Sequence, residues 1–455
     1  MWPFNLFKKK PPIPPKKRFY NPAPPSLAPS ELERDDLLRL LSNTRVDANF
    51  SALRAQARSL STTSALLAGY FDTLDKEIFG DNGISLDLYT PNAELNTQIE
   101  QAFLAWRHSI PECPLSFWEV ESLVLLHYKR DGEAFVYLNE TPQGLSLAII
   151  DPQNVDENAD DGQMLLSGVE VDSLHNPVAY HIKRADGNIE RVLANNIIHI
   201  FKRLNGLQTR GVTHLAPIIH PLYQKEKFKS AELKRARLQS EITGFFVAGE
   251  EHEIFPGVIE DLDNQQNPQE PKASVSERVE VGKMTYIEKN LKPYFTESHN
   301  ATNIEFFIKQ TDKEIAKALG VSYSTLTGDL NEVNYSSIRH GASEQRRQFR
   351  GLQNFLIRHL HNRIFKAWLD NEIKLGNIAL EQRPAILSHF AFKPQGWEYI
   401  DPLKEMNANK VALETGQKSL SQILREQGKE LDTHIAELKK EQEIYNILAA
   451  RKKAH

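Results

Sequence analysis

The residues of this chain that could do chemistry are its histidines, paired carboxylates and single cysteine, and their spacing limits what they could do. His359 and His361 lie two apart, which on a helix turns them about 160° away from each other, so they cannot share a metal ion. His252 is followed by Glu253, as in a zinc-hydrolase HExxH, but the second histidine is missing. His214, His220 and His340 read as polar surface or interface residues. The pairs Asp160–Asp161 and Glu250–Glu251 stand in turn-like, exposed contexts, where nothing would tune either pKa for acid–base work. Cys113, between two prolines, has no evident base and reads as a small buried apolar residue. The chain has no GxxxxGK[ST] phosphate loop, no GxGxxG after a strand and no GxSxG elbow. The expectation is a protein that is not an enzyme and holds neither metal nor organic cofactor.

With 455 residues the chain can bury a large core, and length alone suggests several domains. Lys plus Arg number 55 against 60 Asp plus Glu, a formal charge of −5. A protein that clamps DNA would ordinarily be basic, because phosphate neutralisation supplies most non-specific affinity. Mild acidity suits a conduit better, though it equally suits any cytosolic protein. One cysteine excludes an internal disulfide and points to a reducing compartment. No run approaches membrane-spanning length, and MWPFNLFKKK lacks the apolar core of a signal peptide.

The elements that must position any site follow from periodicity. Residues 1 to about 30 are rich in Pro and Lys and predict an extended, solvated arm. The stretch from 31 to about 110 is mostly helical, with a strand at NGISLDLY. A helix from Phe117 to Lys129 should cover the β-rich region that follows, whose strands fall in DGEAFVYL, LSLAIIDP, SGVEVDSLHNPVAYHI and NNIIHIF. There Val169 and Val171, then Val178, Tyr180 and Ile182, predict half-buried strands on either side of a turn at 175–177. Residues 214–246 predict a long basic helix, interrupted at Pro217 and Pro221, with Phe228, Ala231, Leu233, Leu238 and Ile242 as packing positions. Glu250 to Pro271 carries seven acidic residues and no Lys or Arg, and reads as an exposed excursion before two short strands, ERVEV and KMTYIE. Thr302 to Leu319 predicts a further helix, and 401–450 a helical end with turns at Gly416 and Gly428.

One stretch organises the rest. From Gly320 to Asn334, Ser, Thr, Asn, Asp and Gly offer the backbone local alternatives to helix, so a loop is expected, with Ser336 or Ser337 capping the long helix behind it. Ile338, Ala342, Phe349, Leu352, Leu356, Leu360 and Ala367 form one stripe of that helix, and Arg339, Arg346 and Arg350 a second face. By composition this is a solvated surface helix with a basic edge. The segment ALGVSYSTLTGDLNEVNYSSIRHG, followed by Arg346, Arg347, Phe349, Leu352 and Gln353, resembles the signature of the lambda-type portal proteins of tailed bacteriophages. IFGDNGISL, DGEAFV, GVEVDSLHNPVAYHI and IIHIFKRLNGLQTRGVTHLAP resemble portal wing segments in the same order.

That resemblance implies an α+β portal fold and a ring, usually of twelve subunits, at the capsid vertex through which DNA enters and leaves. Residues 1–45 would form a flexible arm, 46–215 the first part of a mixed wing, 216–246 a stem helix, 247–298 the clip, 299–320 a second stem helix, 321–336 the tunnel loop, 337–395 the wing's long helix and 396–455 a helical crown. Asp329, Leu330, Asn331, Glu332, Val333, Asn334 and Tyr335 would line the channel. Arg339, Arg346 and Arg350 would face DNA or, as the reading prefers, pair with a neighbouring subunit's carboxylates. Glu260, Asp261 and Asp263, with the glutamates Glu277 and Glu280 that flank Arg278 in ERVEV, would mark the clip surface that meets the motor. The implied partners are further copies of the chain, double-stranded DNA passing without sequence specificity, the terminase large subunit, head-completion or adaptor proteins, and the major capsid and scaffolding proteins, with no membrane. The location implied is the virion's portal vertex, and the host bacterial cytoplasm during assembly. The rival readings are a non-channel adaptor or scaffold of the phage head, which would be a small oligomer in solution, and a DNA-processing enzyme of the packaging machinery, which would need the absent catalytic motifs.

Overall fold

The computed structural model describes residues 50–80, 83–161, 164–184, 186–241, 245–248, 291–294, 302–331, 335–397 and 402–426, with four short pieces between 431 and 442. The expected N-terminal arm, the acidic excursion and the strands at ERVEV and KMTYIE lie outside the described residues.

Helices α1 (Phe50–Thr63) and α2 (Ala65–Phe79) lead into strand β1 (Ser85–Leu88), then α3 (Ala93–His108) and α4 (Phe117–Arg130). Local chemistry sets these boundaries. Asn92 caps α3 by accepting from the Leu95 amide at 3.1 Å, and Ser116 with Glu119 makes a reciprocal capping box on α4. A hairpin of β2 (Glu133–Thr141) and β3 (Gly144–Ile150) follows, then β4 (Leu165–Leu166), β5 (Val169–Val171), β6 (Pro177–Lys183), β7 (Ile189–Leu193) and β8 (Ile197–Phe201). The long α5 (Ala216–Glu241) runs to β9 (Phe245–Ala248), which pairs antiparallel with β10 (Leu291–Tyr294). Then come α6 (Thr302–Leu319), the short α7 (Tyr323–Thr327), α8 (Tyr335–Leu356), a π-helical segment at Ile357–His361, α9 (Asn362–Lys374), α10 (Arg383–Ser388), β11 (Phe390–Lys393), α11 (Pro402–Glu414) and α12 (Leu420–Glu426).

Among the described residues every strand pairing is antiparallel and the helices lie apart from the strands in sequence, an α+β arrangement. One sheet has the order β3-β2-β8 and a second the order β4-β5-β6-β7. Phe135, Val155, Val169, Val171, Tyr180 and Ile182 bury their side chains together in a cluster drawing on both sheets. The larger core gathers α2, α3, α4, the inner faces of β2 and β8, and the helix pair α8 and α9 around Phe103, whose ring lies 5.1 Å from Trp368, 5.4 Å from Phe365 and 5.4 Å from Trp106. Residues more than two hundred positions apart close this core. β1 pairs with β11, Leu86 opposite Phe392.

Four expectations change here. Val178 is 41% exposed because the β5–β6 register shifts between Glu170 and Val171, so 177 and 179 pair while 178 is the extra residue and turns outward. Pro217 and Pro221 do not interrupt α5. Pro217 lies in the first turn, and the helix continues past Pro221. Ala231 and Leu233 on α5 are exposed, and its packing positions are Ile218, Ile219, Leu222 and the buried Lys225, with Phe228 half-buried against Phe307. Cys113 is half-buried at the core's edge.

Candidate functional site

The segment between α6 and α8 is held from both ends. Gly320 takes φ +77°, its amide donates to Ala316 O at 3.0 Å, and a Cβ there would fall 2.1 Å from Gln348 Oε1, so only glycine lets the chain turn against α8. The Ser322 amide donates to Gln345 Oε1 at 3.0 Å, and Lys317 pairs with Glu344 at 3.1 Å on the exposed side. What the sequence predicts as loop from Gly320 onward contains α7. Ser322 caps it by accepting from the Thr325 amide at 3.1 Å, and Gly328 ends it in the left-handed region at φ +72°. The same short hydroxyl side chains that argue against a long helix are what begin a short one.

Beyond α7, Asp329 acts inward. Its carboxylate accepts from the Asn331 amide at 2.9 Å and from the Tyr323 hydroxyl at 3.1 Å, which holds it below the usual carboxylate range. Leu330 is 64% exposed and Asn331 is exposed. Glu332, Val333 and Asn334 lie outside the described residues. Tyr335 opens α8, so neither Ser336 nor Ser337 is its cap.

Helix α8 anchors this segment to the core. Phe349, Leu356 and Leu360 are buried and Ala342, Leu352 and Ala367 half-buried along the predicted stripe, which α9 extends with Ile364, Phe365, Trp368 and Leu369. Gln353 Nε2 donates to Ile78 O at 3.0 Å and to Gln395 O at 3.2 Å, tying α8 to α2 and to the strand's exit. The predicted basic face divides. Arg339 is exposed, while Arg346 and Arg350 stand over Trp397 of the same chain, their guanidinium carbons 6.0 and 5.1 Å from its ring centroid. Trp397 Nε1 donates to Glu77 at 2.6 Å. A contact within the chain therefore occupies the faces of two of the three arginines.

The polar groups that brace these elements are buried, and sequence spacing does not reveal them. Glu133 accepts from Arg210, Arg54 and the Gly211 amide, with His199 Nε2 at 3.1 Å; burial pushes its carboxyl up, but Arg210 and His199 outweigh that and hold it far down. Asp131 is opposed in the same way by burial and by His127, Arg58 and Arg130, with the same net direction. Within α4, Glu121 meets Arg107 at 3.2 Å and His361 at 2.5 Å. The buried His361 and exposed His359 thus face apart, as their spacing predicts. His214, expected at the surface, instead donates its Nδ1–H to Tyr128 O at 3.0 Å, and burial with the nearby Lys129 and Lys202 pushes its pKa down to about 3. His220 and His340 are exposed, and Asp160 and Asp161 serve exposed turns, accepting from the backbone amides of Ser167, Met164 and Leu165. Among the described residues no group of three or more His, Cys, Asp or Glu is placed to hold a metal ion, and no helix is long and apolar enough to cross a membrane.

A family model described as phage portal protein, lambda family, matches residues 41–353, well over half of the chain. The chain belongs to that family. The match spans the sheets, α5, α6, the turn at Gly320 and α8 as far as Gln353. A "Probable portal protein" of Halomonas phage phiHAP-1 is 28% identical over 411 residues, covering 84% of this chain and 78% of that protein. Among solved structures, one described as the virion of a native gene transfer agent particle is 13% identical at a TM-score of 0.47, covering 84% of this chain and 94% of its own. An HK97 family phage portal protein from Corynebacterium diphtheriae is 10% identical at 0.35, covering 77% and 96%. The family assignment rests on the sequence match.

In this lambda-family chain Asp329, Leu330 and Asn331 form one exposed turn just past α7, and Arg346 and Arg350 lie farther along α8 on Trp397. Glu260, Asp261, Asp263, Glu277 and Glu280 fall outside the described residues. Trp397 is the member that spacing could not supply, because it approaches α8 from the far side of β11. Its signal was an isolated aromatic in the polar stretch after Pro394.

Proposed function

We propose that this chain is the portal subunit of a tailed phage or prophage. Copies close into a ring, twelve by the family pattern, at one capsid vertex, and the ring is the passage for the genome during packaging and ejection. Residues 46–215 and 337–395 form the wing, α5 and α6 the stem, 247–298 the clip, 321–336 the tunnel loop and 396–455 the crown. The terminase motor docks on the clip, with Glu260, Asp261, Asp263, Glu277 and Glu280 as contacts. Head-completion proteins follow it there, and capsid and scaffolding proteins surround the wing. The subunit works as structure and not as a catalyst, first in the host cytoplasm and then in the virion.

The observation that carries this reading is the lambda-family match, which runs unbroken through the segment from Gly320 to Gln353. Leu330 and Asn331 support it, because their turn projects into solvent while both flanking helices are anchored. A polar turn suits a channel lining: many fixed cations would hold phosphates and stall transport. The account expects the purified chain to have the mass of a ring of many copies in solution. A monomer or dimer under all assembly conditions would refute it.

A further inference from the structure

Three chain segments converge where α4 ends, β8 runs out and α5 begins. The His214 amide donates to Lys129 O at 3.2 Å, and its ring lies 4.6 Å from that of Tyr128. Gly132, at φ +92°, packs so tightly that a Cβ would fall 2.2 Å from the Val212 carbonyl carbon. β8 pairs Phe201 with Glu133, which brings Lys202 alongside the same turn. The result is a cluster of basic groups from separate segments, Lys129, Lys202 and His214, each within electrostatic reach of the others.

The carboxylates nearest in sequence are already committed. Asp131 meets Arg58 at 2.8 Å, Arg130 at 2.9 Å and His127 at 3.0 Å, and Glu133 is enclosed by Arg54, Arg210 and His199. Among the described residues Lys129 Nζ pairs with no carboxylate and stands 5.7 Å from the Tyr128 ring centroid. Lys202 is exposed at the cluster's mouth. Two ammonium groups held together with their carboxylate neighbours spent elsewhere, in a chain of net charge −5, are a local exception that a dianionic oxygen ligand would relieve.

We propose that Lys129 and Lys202 form a phosphate-binding site on the sheet-bearing part of the chain, built from elements other than the turn at 329–331. The ligand chemistry is a phosphate group, either free or carried by a DNA backbone. The site does not rest on the channel reading. Burial and Lys202 push the Lys129 amine down to about 8, so at that pH it is half unprotonated and reactive, and a bound phosphate masks it.

The test is competitive acetylation of the full chain at pH 8 with limiting acetic anhydride, read by peptide mass mapping against the exposed Lys313. Inorganic phosphate at about twice its dissociation constant should slow Lys129 labelling about threefold and leave Lys313 unchanged. A parallel arm uses a short DNA duplex, and a third uses sodium chloride at matched ionic strength. Protection by inorganic phosphate identifies a free-ion site; protection by duplex alone identifies the DNA backbone as the source. Lys202→Gln, at an exposed position, should keep the melting curve and abolish protection. Protection by neither phosphate form, equal protection by chloride, or protection that survives Lys202→Gln would each overturn the proposal.

Discussion

At Glu133 the side chain has no exposed surface, and the cations Arg54 and Arg210 reach it from 79 and 77 residues away in sequence. Removing one partner of such a cluster leaves charge buried without compensation, so Glu133→Gln should cost about 3–5 kcal/mol in stability. Urea unfolding of the variant checks this, and a loss below about 1 kcal/mol would show that the network is not needed. Protons act on the same groups. Asp131 and Glu133 have folded pKa values below their unfolded ones, so the stability they contribute is whole above about pH 4 and drains as the pH falls through and below that range. His214 adds a higher window. Its folded pKa is down at about 3, so from about 6.5 downward the unfolded chain takes up a proton that the folded chain refuses, and stability falls. His214→Gln keeps a donor for Tyr128 O, and its melting temperature should decline less steeply between pH 7 and 4 than the parent's. Parallel curves would contradict that. None of these groups stands out in the sequence, since Asp131, Glu133, Arg210 and His214 look like any charged residues near turns, and only the tertiary approach of α1, β2 and the 208–214 segment makes them partners.

Among the elements, two glycines separate local strain from close approach. Gly320→Ala forces φ +77° on alanine, costing about 1–2 kcal/mol, and its Cβ meets the end of the Gln348 side chain, which can swing away. Gly132→Ala at φ +92° meets backbone at Val212 and Thr213, which cannot, so it should cost about 3 kcal/mol or more. Melting curves of the two variants should therefore rank in that order, and the reverse would show that the 211–213 segment gives way easily. Periodicity shows most helices and strands well. The Thr302–Leu319 helix has its predicted ends, and Phe349, Leu356 and Leu360 lie on the predicted stripe. It fails where pairing decides: β11 and β4 are too short to carry a pattern, the bulge at Val178 depends on its partner strand, and α7 is hidden by the turn chemistry of its own cap. The turn at 329–331 was legible in composition, whereas its anchoring by Gln345 and Tyr323 was not.

For the whole molecule, α5 and α6 leave apolar side chains in water, with Leu233 61% and Phe306 66% exposed, although Lys225 and Asp312 pair in the buried seam between the two helices. A single subunit gives those residues nothing to pack against, and neighbouring copies in a ring would. The same closure would gather the turns at 329–331 around one axis. Membership of the portal family was legible because its motifs fall in order along the chain, while assembly is a property that one copy's sequence pattern cannot display. The most direct measurement is cross-linking of Leu330→Cys in a Cys113→Ser background with a short bis-maleimide on the assembled protein. A ladder of covalently joined subunits, absent from the Cys113→Ser parent, is the result the account predicts. Assembled particles whose position 330 reacts fully with a monofunctional maleimide yet yields no linked subunits would place that turn away from a shared axis and contradict it.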